Sequence, residues 1–213
     1  KLSVEIPQTT FSKTSGNVTF KVQYPENITC GVPTTFKLSS EGTTDKVQYA
    51  LYSLTTEDGT IVYDTSYGSN GKFFSKDSFD FTFYASGTYY IRFAIMDTGV
   101  SPYVWFNTGL YGIKLVIDDK GYPTVENVVA DLKAQCEKTC TTDYEKAVWF
   151  NDWLVENCRY DFSYSYCAPE GALARGLGTC EAYHRAYVML LNSVGIATDR
   201  ISGDGHVWTG VQL

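Results

Sequence analysis

Between residues 118 and 123 the hydrophobic period of the chain changes, and this break requires two differently built parts. Before it, apolar and polar residues alternate in short runs bounded by turn residues, the pattern of half-buried strands. The clearest run is Phe79-Asp80-Phe81-Thr82-Phe83. Others are Val18 to Tyr24, Thr35 to Leu38, Lys46 to Leu54, Thr60 to Tyr63, Thr88 to Ile95 and Leu110 to Ile117. Asp58-Gly59 and Asn70-Gly71 are hairpin signals, because glycine and asparagine accept the positive φ of tight primed turns. No helix-period segment interrupts them, so residues 1–117 are expected to form an all-β sandwich of immunoglobulin-like type. Its many tyrosines suit strand packing and cross-strand pairs better than a sugar- or peptide-stacking surface.

Residues 118–123, Asp118-Asp119-Lys120-Gly121-Tyr122-Pro123, combine charge, glycine and proline and are expected to be the linker to a second domain at 124–213. There Val125, Val128, Val129, Leu132 and Cys136 fall on one helical stripe. Thr142 and Glu145 form a capping-box pattern for a second helix carrying Ala147, Val148, Phe150, Trp153 and Leu154. A third helix is expected from Cys180, with Tyr183, Ala186, Tyr187, Leu190, Leu191 and Val194 on its buried face and Gly195 at its end.

Cys180 opens that helix, where unpaired N–H groups and the partial positive charge favour a thiolate, the nucleophilic form of cysteine. The flanking Gly176 and Gly178 allow close backbone approach. His206 opens a strand after a glycine-rich turn, and a histidine remote in sequence but adjacent in the fold can take the thiol proton and return it to a leaving group. Alternation puts His206, Trp208, Gly210 and Gln212 on one face, which is expected to line the cleft. His184 is expected to be outward or half-buried, since a neighbour on the cysteine's own helix is poorly placed to shuttle a proton.

The glycine-flanked cysteine (Gly178 to Cys180), the Gly195-Ile196 turn, Gly205 to Trp208, and the helix Asp143 to Leu154 followed by Arg159-Tyr160-Asp161 together resemble the transglutaminase-like superfamily. The resemblance implies a papain-like α+β domain performing thiol acyl chemistry with a Cys-His-Asp triad. Cys180 and His206 match two members, and Tyr160, in the matching "YD" step, is the position from which a phenol can help hold an oxyanion. Trp208 is a cleft residue. No residue matches the third acid, which belongs on the strand after the histidine strand. The thiol domain is therefore expected to be incomplete at Leu213, unless Asp204 or Asp161 supplies the acid or the copy is impaired.

A net charge of -7 and the lack of a Lys/Arg cluster argue against nucleic acid or an anionic membrane as partner, and no apolar run is long enough to span a bilayer. The six cysteines have no regular scaffold spacing. Cys158 and Cys167 flank a short tyrosine-rich loop that a bridge could close; with Cys180 as nucleophile five cysteines remain, so at least one other stays free or buried unless a bridge joins two chains, and lone Cys30 is the natural choice. The paired spacings of zinc knuckles are missing, so neither metal nor cofactor is expected. Two readings follow: an enzyme that transfers acyl groups from protein or peptide amides through a thioester, with a transglutaminase or peptidase outcome, or an impaired adhesion or binding module. The resemblance implies a bacterial secreted or cell-surface protein whose expected substrate is a protein or peptide, with cell-wall association.

Overall fold

The computed structural model describes residues 6–66 and 72–213. The Asn70-Gly71 hairpin signal lies outside the described residues. By contact the chain divides into two compact units: residues 1–59, 65–83 and 87–119, and residues 60–64, 84–86 and 120–213.

The first unit is a two-sheet β-sandwich. One sheet has the order β1-β2-β3-β6, from β1 (Gln8–Ser15), β2 (Val18–Pro25), β3 (Pro33–Glu41) and β6 (Ser78–Thr82). The other is built on β7 (Gly87–Asp97), the longest strand, with β4 (Val47–Thr56) along one side. On its other side β8 (Val104–Asn107) pairs with Ala94 to Asp97 and β9 (Ile113–Ile117) with Gly87 to Ile91. Phenylalanines from alternate positions meet between the sheets: Phe36 and Phe79 both pack on Phe93, with ring centroids 5.3 and 5.9 Å apart. At one end buried Asp97 accepts hydrogen bonds from the Thr44 N–H and hydroxyl and from the Gly99 N–H.

Two strands have no counterpart among the expected runs. β1 is a polar edge strand, QTTFSKTS, held by backbone pairing to β2 rather than by an apolar face. β8 is only four residues long, too short for an alternation to declare itself. The run expected from Leu110 starts at Ile113 instead, and Leu110 and Tyr111 are exposed. Gly59 takes φ +85° in the turn after β4, as the Asp-Gly signal requires. β5 (Ile61–Tyr63) is counted with the second unit.

The second unit is α+β. α1 (Val125–Cys136) is capped by Thr124, whose hydroxyl accepts from the Asn127 N–H, and it buries Val129, Leu132 and Cys136. α2 (Asp143–Asn157) starts with the expected reciprocal capping box of Thr142 and Glu145 and buries Ala147, Phe150 and Leu154. Val148, expected on the same stripe, is exposed because it lies between the packed positions. α3 (Cys180–Ser193) buries Ala182, Ala186, Leu190 and Leu191 in the common core. Its end is a Schellman turn: Gly195, at φ +83°, donates to the Asn192 carbonyl and Ile196 donates to the Leu191 carbonyl. β10 (Arg159–Tyr160) pairs in parallel with β11 (Leu177–Gly178), and β12 (Thr198–Gly203) with β13 (His206–Val211) antiparallel. A single π-helical turn, Gly171–Arg175, precedes β11. No helix among the described residues is long and apolar enough to cross a membrane.

Candidate active site

The site is assembled by three short-range constraints. The first is the β10–β11 pairing, whose register sets Tyr160 opposite Gly178, two residues before Cys180. The Asp161 N–H donates to the Gly178 carbonyl at 2.9 Å and locks that register. A side chain at Gly178 would bring its Cβ within 2.7 Å of the Ala182 Cβ, so only glycine lets this strand lie so close to α3. The second is the α3 start. Thr179 is the N-cap residue, and its side chain makes no capping bond, so Cys180 is the first residue of an end without a side-chain cap.

The third is the β12–β13 hairpin, which brings His206 and Trp208 to the same cleft. That cleft, about 390 Å³, is lined by Cys180, His206, Tyr160 and Trp208 together with His184, Thr209 and Asn151, Leu154 and Val155 of α2. All four residues singled out in the sequence thus face one opening. Cys180 is half-buried, while His206 and Trp208 are exposed and their rings meet edge-on at 4.8 Å.

Tyr160 lines the cleft beside Cys180, close enough for the thiol to act on its phenol. Burial, and then the adjacent thiol, hold its phenol above the ordinary tyrosine range, so it keeps its proton and can donate. A phenol that keeps its proton beside the nucleophilic sulfur is a donor of the kind that can receive a developing oxyanion.

Glu181 braces the helix start. Its carboxylate accepts from Arg185 Nε at 2.6 Å and from both terminal nitrogens of Arg200 at 3.0 and 2.7 Å. Burial works against its charge, but Arg200 and Arg185 outweigh it and hold the carboxyl below the usual range.

Three expectations are corrected. His184 is buried, not outward, because β13 covers it: its Nδ1 is 2.8 Å from the Thr209 hydroxyl. The expected face of β13 lines the cleft only through His206 and Trp208: Gly210 and Gln212 are not among its lining, whereas Val207 and Thr209 of the other face are. The described residues, which include all six cysteines, contain no disulfide. Cys158 is buried at the end of α2 with its Sγ toward the Arg159 carbonyl, whereas Cys167 points to the Tyr164 carbonyl, so the expected loop bridge is not made. Asp161, one of the two alternatives for the acid, holds its own loop. Its two carboxylate oxygens accept from the Ser163 N–H and hydroxyl and from the Ser165 and Tyr166 N–H groups. Asp204 lies in the exposed turn between β12 and β13 at φ +52°. Among the described residues no group of three His, Cys, Asp or Glu side chains could hold a metal ion.

The Tyr160–Cys180 contact could have been found in the sequence from the matching "YD" step, but the Glu181 clasp and the His184–Thr209 bond could not. They join residues 19 and 25 positions apart with no motif between them.

No curated protein matches the chain significantly. Residues 130–213, from within α1 to the last residue, match the family model of the transglutaminase-like superfamily.

Proposed function

We propose, taking the transglutaminase-like segment at 130–213 as the premise, that the second unit is a cysteine-dependent acyl-transfer catalyst acting on protein or peptide amides. The superfamily is one of papain-like cysteine acyltransferases and peptidases, and the finer reading rests on the residues of the cleft. Cys180 is the nucleophile and His206 the acid-base partner. The thiolate attacks the amide carbonyl, the carbon–sulfur bond forms, and the carbonyl oxygen takes the negative charge against Tyr160 and the Cys180 N–H. On collapse the carbon–nitrogen bond breaks and the amine leaves with the proton carried by His206. The resulting thioester is resolved by water, which gives a peptidase outcome, or by a second amine, which gives a transglutaminase outcome. In both, the incoming nucleophile gives its proton to His206 and the thiolate is regenerated.

The observation that carries this reading is the meeting of a helix-start cysteine, a tyrosine hydroxyl and a strand-start histidine in one open cleft. The test compares the protein with its Cys180→Ala and His206→Ala variants in two assays, amine incorporation into a glutamine-bearing protein and release of a fluorogenic amide. Activity in either assay that disappears in both variants supports the reading. Activity that survives Cys180→Ala overturns it, as does alkylation of Cys180 at neutral pH that is no faster than in His206→Ala.

A further inference from the structure

Two histidines line the cleft, and the chemistry above uses only His206. Resting on that reading of Cys180 and His206, we propose that His184 is a positioning residue: its hydrogen bond to Thr209 fixes the strand that carries His206 against the helix that carries Cys180.

The β12–β13 hairpin is a two-stranded sheet by itself, so among the described residues no strand ladder continues from it into another sheet. Its place against α3 therefore depends on side chains. Val207 is buried and Val211 packs partly on the core, but apolar contact is non-directional and tolerates sliding along the helix. A single hydrogen bond of good length does not tolerate it. The His184–Thr209 bond, at 2.8 Å, joins the two elements that also hold the reacting pair. His184 lies one helical turn beyond Cys180, and Thr209 lies three residues beyond His206. A slip of β13 at this bond would move His206 relative to the thiol by the same amount.

Two further features favour His184 as the main tie. At 9% exposure, a broken bond leaves a buried polar ring unpaired, so the bonded arrangement is strongly preferred. Burial and then Arg200 also push the imidazole toward its neutral form. The other tie of the hairpin to α3, from Arg200 to Glu181, has a half-exposed guanidinium and is weakened by solvent screening.

The experiment follows iodoacetamide labelling of Cys180 in the full chain, resolved by mass spectrometry, from pH 5 to 9. It compares the unchanged protein with His206→Ala, His184→Leu, Thr209→Val, Thr209→Ser and the His184→Leu/Thr209→Val double variant. Thr209→Val removes the hydroxyl at nearly constant volume, so it remains decisive if His184→Leu does not fold. Labelling at neutral pH should fall roughly 10-fold in His206→Ala and roughly 3- to 10-fold in His184→Leu and Thr209→Val, with a profile shifted in the same sense. Thr209→Ser should restore the original profile to within about twofold, and the double variant should lose no more than either single change. A purely structural role would lower the melting temperature of Thr209→Val and leave the Cys180 profile alone, which overturns the proposal. If His206→Ala itself labels like the unchanged protein, the Cys–His pairing fails and the positioning role falls with it. A profile that depends on His206 but not on Thr209 overturns the positioning role alone.

Discussion

Tyr160 is the residue on which site geometry and chemistry converge most closely. Its phenol shares the cleft with the Cys180 thiol, and it stays protonated because burial and the thiol both oppose its ionisation. The main chain sets this position, through the Tyr160–Gly178 register, so the ring of a phenylalanine should occupy the same place. Tyr160→Phe is therefore expected to leave Cys180 alkylation within about threefold while slowing turnover by roughly 10²-fold, the usual effect of removing one oxyanion donor. Loss of kcat with KM nearly unchanged in the fluorogenic amide assay is the result to look for. Equal loss in labelling and turnover would mean that the phenol supports the thiolate and not the oxyanion.

At the scale of elements, the loop from Asp161 to Tyr166 shows how one side chain can replace a disulfide. The carboxylate of Asp161, only 3% exposed, takes three backbone N–H groups and one hydroxyl, and these opposing contacts outweigh burial and hold its carboxyl below the ordinary range. Asp161→Ala would leave those N–H groups without their acceptor and should destabilise the second unit by about 1–3 kcal/mol. Hydrogen exchange at the Ser163, Ser165 and Tyr166 amides should speed up most, and unchanged exchange there would show that the loop is held by packing. The sequence made this loop visible as a tyrosine-rich connection but pointed to a Cys158–Cys167 bridge, because flanking cysteines are a pattern and a carboxylate accepting from successive amides is not. The same contrast runs through the fold. Elements with a period were legible: the three helices, the capping box, the Gly195 stop, and the phenylalanine strands of the sandwich. The polar edge strand β1, held by its pairing with β2 and by the Lys13 bond to the Asn107 carbonyl, and the long-range His184–Thr209 bond left no periodic trace. Cys180 and His206 were legible because helix start and strand start are local signals. Their convergence on Tyr160 depends on the β10–β11 pair, which is only two residues long in each strand.

For the whole molecule the consequence is a specific response to acid. Asp97 in the sandwich and Glu145, Asp161 and Glu181 in the second unit all have folded-state values below their ordinary ones. Each then binds fewer protons folded than unfolded, so its contribution is complete above the ordinary value and is lost as pH falls through the folded one. For Glu145, whose carboxylate is fixed by the Thr142 and Thr141 N–H groups, that window runs from 4.5 down to about 2. Glu170 has the opposite sign: burial raises its value against the pull of Arg175, so it costs stability as pH rises above 4.5 and partly offsets the others. His184 acts earlier. Its folded value is lowered from 6.5 by burial and then by Arg200, with Arg185 adding to this and Glu181 opposing, while Cys180 and His206 share its cleft. Being neutral when folded and protonated when unfolded, it should destabilise the second unit as pH drops below 6.5. Thermal melts at several pH values between 7 and 3 should therefore show two acid steps. The first, confined to the second unit, should vanish in His184→Leu. The second, below 4.5, should reach both units, and its sandwich part should shrink in Asp97→Asn. A melting temperature that stays flat from pH 7 to 5 would show that His184 takes up its proton without leaving its bond to Thr209, so that the hairpin and α3 part only when the carboxylates are protonated.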